Sequence, residues 1–167
     1  SSRAAGARRL CQNGAEREPV VARQADALCL HAHEGRLLAA VADRPERELE
    51  AAVDQLVAAE LVYRRGTPPD ATYAFKHALI QDAAYGTLLR SARVTLHARI
   101  ADTIRSRFPA LADREPETLA RHCFEAGRLA DAAELWEQAG DRAANRSAIT
   151  ESLAHYDRAS ACLRAIG

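Results

Sequence analysis

The runs LVYRR (residues 61–65) and ATYAFKH (residues 71–77) are rich in β-forming side chains and are separated by GTPPD, a loop of Gly, Thr, Pro and Asp. That combination predicts a β-hairpin with a longer loop. Upstream, LLAAVADRPERELEAAVDQLVAAELV has helical rather than alternating period, with Leu49, Val53, Leu56 and Val57 at i, i+4, i+7 and i+8. This is one apolar stripe on one helix. Pro45 is expected in the first turn, where its missing N–H is harmless. Asp43 is a candidate cap, and the helix is expected to run from Pro45 to Glu60.

Two helices followed by a hairpin is the order of a winged-helix module, with the hairpin as the wing. In YAFKHALIQDAAY the alternation gives way to a helix starting near His77, where Ile80, Ala84 and Leu88 share a face. Next, Leu96, Ile100, Ile104 and Phe108 recur every four residues, which predicts a helix over 92–107 stopped by Pro109.

The stretch ETLARHCFEAGRLADAAELWEQAGDRA then has the pattern of a tetratricopeptide unit. Gly127 stands at a turn, and small Ala132, large Trp136 and small Ala139 alternate on the helix after it. Helices that approach closely at alanines interlock at an aromatic. The pattern returns twenty residues later, where Asp131, Trp136 and Ala139 find Glu151, Tyr156 and Ala159. Twenty is shorter than the usual period of about 34, so one unit's second helix is expected to run into the next unit's shortened first helix. Such an array is expected to continue beyond Gly167.

Composition narrows the function. Twenty-three Lys and Arg balance 23 Asp and Glu, so no global field draws the chain to nucleic acid or to an anionic membrane. No apolar run reaches the roughly 18–20 residues of a membrane span, and no secretory signal opens the chain, so a cytoplasmic location is expected. Cys11, Cys29, Cys123 and Cys162 form neither a CxxC pair nor a disulfide framework and read as small packed thiols. With no methionine in it, the chain is expected to be a piece of something longer. The expected organisation is a poorly matching segment over 1–34, disordered or mis-framed, a winged-helix module over 35–91, and a helical region over 92–167.

From Leu37 to Gly167 the sequence resembles the winged-helix and tetratricopeptide region of bacterial signalling ATPases of the STAND or AAA type, especially those fused to a class III adenylate or guanylate cyclase domain. FKHALIQDAAYGTLL, LHARIA and EAGRLADAAELWEQAGDRA carry the resemblance. It implies a winged helix that packs on the ATPase core of the same polypeptide, with ATP or ADP and Mg in that core. It also implies helical repeats that bind a protein or peptide partner. In related switches a histidine entering a winged-domain helix contacts the ADP phosphate, and His77 occupies the similar place. A helix N-terminus, with its free N–H groups and dipole, is a fitting location for a phosphate. The chain itself has no GxxxxGK[ST] loop, so no cofactor is expected on it alone.

The remaining clusters are weaker. Cys29, His31 and His33 lack a second ligand pair and predict no metal site, and the other histidines stand alone in the sequence. No nucleophile, base and orienting group are linked by a motif, so no catalytic residue and no enzymatic activity are expected of this chain. Arg64 and Arg65 on the wing, with Arg90, Arg93, Arg99, Arg105 and Arg107 beyond it, make a local basic excess that reads as a solvated face with helix pairs to Asp102, the alternative being docking against an acidic domain of the parent protein. DNA binding is not expected, because the helix before the wing carries Glu46, Glu48, Glu50, Asp54 and Glu60 against Arg47 alone. Trp136 and Tyr156 could line a peptide groove, although their spacing favours inter-helix packing. The expected fold is mainly α, with a small β-hairpin in a winged-helix module followed by tetratricopeptide-like hairpins. The expected role is regulatory. A DNA-binding regulator and a scaffold without nucleotide are the rivals.

Overall fold

The computed structural model describes residues 33–42 and 44–167, and of His33 and Glu34 the backbone alone. The readings placed on residues 1–32, on the His33 side chain and on Asp43 as a cap lie outside the described residues. The chain is mainly helical with a small antiparallel sheet, and it divides between Leu88 and Leu89 into two compact units.

In the first unit, β1 (His33–Glu34) leads into α1 (Gly35–Val41) and α2 (Glu46–Ala58), followed by β2 (Val62–Arg65), β3 (Thr72–Phe75) and α3 (Ala78–Gly86). Helix, helix and hairpin come in the order expected from the sequence. The strand β1 is a finding of the structure. It pairs antiparallel with β3, His33 opposite Tyr73 and Glu34 opposite Thr72, which gives the strand order β1-β3-β2. Two residues are too few to show alternation, so no sequence pattern announces them.

Leu37, Leu38 and Val41 of α1 and Leu49 and Val53 of α2 form the core of this unit with Val62 and Ala71. Glu46 and Glu48 lie in the first turn of α2, where carboxylates suit the helix dipole. Pro45 stands one position earlier than expected. Its extended ψ of 137° keeps it out of the helix, while its carbonyl accepts from the N–H groups of Glu48 and Leu49. The far end of α2 stops two residues before the expected Glu60. That residue takes φ 59° and turns the chain left-handed. Its N–H donates to Val57 O and that of Leu61 donates to Leu56 O, the paired bonds that close a helix C-terminus.

The wing is clipped to the helices beneath it. Arg36 of α1 reaches Asp70 in the wing loop, and Asp54 of α2 pairs with Arg64 of β2 at 2.5 Å. Both pairs are exposed, so each contributes at most about 1 kcal/mol. The tighter constraint is backbone. The N–H of Gly35 donates to Ala71 O at 2.7 Å, and a Cβ at Gly35 would lie 2.7 Å from Pro69 O.

The second unit contains α4 (Arg90–Arg107), α5 (Pro109–Arg114), α6 (Pro116–Glu125), α7 (Leu129–Asn145) and α8 (Ile149–Ile166). Of the four-residue series, Ile100 and Ile104 are fully buried, and Phe108 ends α4 ahead of Pro109. Between α6 and α7, Gly127 takes φ 76°, with its N–H on Phe124 O and that of Arg128 on Cys123 O. Between α7 and α8 the same turn recurs on Ser147, φ 60°, whose N–H donates to Ala144 O while that of Ala148 donates to Ala143 O. Arg128 and Ala148 enter their helices with nearly identical angles, φ −86° in both and ψ 67° and 68°.

The twenty-residue echo is therefore the step from one helix to the next. The expected run-on of one helix into another does not occur, because Ser147 makes without glycine the turn that Gly127 makes with it.

Gly35→Ala is expected to push the wing loop off α1 and to destabilise the first unit by about 1–3 kcal/mol, the cost of overpacking against backbone that cannot yield. Chemical denaturation followed at Trp136 would not sense this unit; amide exchange in residues 62–75 would.

Candidate functional sites

His77 stands at the junction the sequence indicated. It precedes α3 with extended angles (φ −142°, ψ 131°), and its carbonyl accepts from Ile80 and Gln81. The imidazole makes no capping hydrogen bond and is exposed. Helix α3 buries no residue fully, and Leu79, two residues after His77, is 82% exposed. The first turn of α3 therefore carries an exposed histidine at a helix N-terminus without a side-chain cap, and an exposed leucine.

The arginines of the basic excess are distributed over the two units. Arg64 and Arg65 lie on β2, Arg64 already engaged by Asp54, while Arg90 and Arg93 begin α4 in the second unit. The hydrogen-bonded partner of Asp102 lies beyond its own helix. Its carboxylate receives Arg128 in a two-pronged contact, 2.5 and 2.9 Å, and that guanidinium holds its pKa below the usual carboxylate range. Three residues along each helix the charges swap, and Arg105 reaches Asp131 at 3.0 Å. Two opposite pairs at matching i, i+3 spacing fasten α4 to the head of α7.

Trp136 is 6% exposed and belongs to the packing between α7 and α8. Its indole stacks on the His155 ring at 5.3 Å, with the Arg158 guanidinium 4.7 Å from its centroid. Tyr156 is half-buried, and its hydroxyl donates to Asp141 at 2.6 Å. Its ring lies over Gly140, where a Cβ would come within 2.7 Å of it. Cys123 and Cys162 are buried free thiols, and burial raises both pKa values. Among the described residues no three His, Cys, Asp or Glu side chains are grouped to hold a metal ion. Among the described residues no helix is long and apolar enough to cross a membrane.

The most unusual polar feature is one that the sequence analysis missed. His97 of α4 and His122 of α6, alone in the sequence, meet in the core with their Nδ1 atoms 2.9 Å apart and ring centroids at 5.1 Å. They are 1% and 0% exposed. At that contact one nitrogen must donate and the other accept, so the pair accommodates a single Nδ1 proton. The signal that could have found them is helical: His97 falls on the stripe of Ile100, Ala101 and Ile104, and His122 on that of Thr118, Leu119 and Cys123.

Burial, helped by the positive charge of Arg121, lowers the His97 pKa to about 4. The unfolded chain takes up this proton near pH 6.5, and the folded one only near 4. Its contribution is therefore complete above pH 6.5 and is lost as the pH falls through that window. The loss is about 3 kcal/mol by the linkage relation. Replacing His97 by Gln, which keeps a hydrogen-bonding group there, is expected to remove most of this slope in denaturation curves taken between pH 7 and pH 4.

No family model and no solved structure matches the chain. An uncharacterized protein of Rhizobium meliloti (strain 1021) is 32% identical over 144 residues, which are 86% of this chain. The chain spans 14% of that relative's length.

Proposed function

We propose that this chain is a regulatory segment of a nucleotide-switched signalling ATPase. In this reading the first unit is a winged-helix module that closes on an ATPase core of the same polypeptide, and the helices of the second unit receive a protein or peptide partner. The observation that carries it is the state of His77. It is exposed at the head of α3 and not spent on capping, so it can meet a phosphate together with the free N–H groups of that helix end. The β1-β3-β2 strand order, with both helices between β1 and β2, agrees with a winged-helix module. The match to a small part of a much longer relative agrees with a segment that acts inside a larger protein.

DNA is a poorer partner for the same unit. Glu46, Glu48, Glu50 and Asp54 are exposed on α2, and the wing arginine nearest them, Arg64, is already neutralised by Asp54.

In a protein containing the ATPase core, His77→Ala is expected to speed ADP release about tenfold, as the loss of one phosphate hydrogen bond of roughly 1.4 kcal/mol would. An unchanged off-rate in stopped-flow experiments removes His77 from the nucleotide site.

The 167-residue chain alone, lacking a phosphate loop, is expected to bind ATP weakly or not at all. Micromolar affinity by calorimetry contradicts that reading.

A further inference from the structure

The acidic helix α2 carries charges that the nucleotide reading leaves unused. Its Glu48 faces Arg44, its Asp54 pairs with Arg64, and Asp70 of the wing loop above it holds Arg36. Among the described residues Glu46 and Glu50 have no such partner, although they stand one turn apart on one exposed face of α2.

That face borders a depression of about 340 Å³ that is open to solvent and lies wholly within the first unit. Buried Leu38 of α1 and Leu49 and Val53 of α2 form its floor, Pro69 and Tyr73 bound it on the wing side, and Glu46 and Glu50 stand at its rim. The wing side is held in place by backbone. Gly35 N–H donates to Ala71 O, and the Tyr73 ring lies so close to Gly35 that a Cβ there would meet it at 3.4 Å. Burial raises the Tyr73 pKa, Arg64 opposes the rise, and Asp54 and Glu50 add to it. The phenol is therefore neutral, and its oxygen has no hydrogen-bond partner among the described residues.

Size and charge together define the occupant. The volume is at the lower end for ligand pockets, enough for one side chain and too little for a nucleotide. Two uncompensated carboxylates at the rim repel an anion, and a wholly apolar group would cover them without giving either a partner. A lysine ammonium meets a carboxylate as a point charge. A planar guanidinium has donors for both carboxylates and for the Tyr73 oxygen, and its methylene stem covers apolar surface. We propose that this groove receives an arginine side chain of a partner protein, its stem over Leu38 and Leu49 and its guanidinium between Glu46 and Glu50. The carboxylates that keep DNA phosphates off α2 thus select a basic protein segment instead. The inference does not depend on the nucleotide reading of His77.

The test titrates the 167-residue chain with the peptide acetyl-Ala-Ala-Arg-Ala-Ala-amide and follows the amide resonances of residues 46–53 and 70–73 by NMR. Saturating shifts centred on these residues are expected, with a Kd of about 1 mM or tighter. Citrulline in place of the peptide's arginine keeps the shape and removes the charge, and is expected to weaken binding by about tenfold or more. Glu46→Gln and Glu50→Gln are surface changes that leave the fold intact, and each is expected to weaken binding about three- to tenfold. Glu48→Gln, on the same helix but outside the groove, is expected to leave the Kd within about twofold.

The proposal is overturned if no shift saturates, if the citrulline peptide or a lysine peptide binds as tightly as the arginine peptide, or if Glu48→Gln weakens binding as much as Glu50→Gln. It also fails if light scattering finds a dimer that Glu50→Gln disperses, since the occupant is then a second copy. Nuclear Overhauser contacts in the free chain between Tyr73 and an arginine of residues 1–32 overturn it as well, since the groove is then filled from within. None of these results touches the ADP off-rate on which the nucleotide reading depends.

Discussion

The second unit depends on one short backbone device, the left-handed turn that sends α7 back along α6 and α8 back along α7. Two hydrogen bonds close it, from Gly127 and Arg128 in one case and from Ser147 and Ala148 in the other. With three residues between helices, the chain has no slack to separate them, and the facing residues must be small. Ala132, Ala139, Gly140 and Ala143 satisfy that demand, and the space they leave is taken by Trp136 stacked on His155 and by Tyr156 over Gly140. The charge-swapped pairs from Asp102 and Arg105 to Arg128 and Asp131 then fix where α4 meets the head of α7.

The first unit meets a different constraint. Its sheet is too short to be stable alone, so the strands must be held by the helices. α1 does this through its first residue, with Gly35 against the carbonyls of Pro69 and Ala71, and α2 through Leu49 and Val53 in the core and Asp54 on the wing. Little is left to anchor α3. It is apolar in composition yet buries nothing completely, which keeps the His77 end open to whatever covers it.

Much of this was legible because period and punctuation are local. The stripe from Leu49 to Val57, the four-residue series ending at Phe108, the GTPPD loop and the small–large alternation around Trp136 each specify an element from neighbours in sequence. What escaped depends on distant partners or on backbone angles. β1 exists because Tyr73 and Thr72 are there to pair with it. Glu60 and Ser147 adopt left-handed angles that their residue types do not advertise. Asp102 finds Arg128, 26 residues away in sequence. His77 was placed correctly at the head of its helix because a change of period is visible in the sequence.

The histidine pair shows how a buried polar group can specify a fold without adding much to its stability. Two imidazoles in the core cost desolvation, and their mutual hydrogen bond offsets part of that cost. In return the arrangement is directional. A slide of α4 along α6 by one turn, about 5.4 Å, would leave the apolar stripe of Ile100 and Ile104 nearly as well buried. It would also strand both Nδ1 atoms away from the 2.9 Å contact they make now. Alanine-rich helices offer few large side chains to fix register, and here the fixing falls to His97 and His122 together with the Asp102–Arg128 and Arg105–Asp131 pairs. All three contacts break in the same slide, so the packing of α4 has one register rather than several.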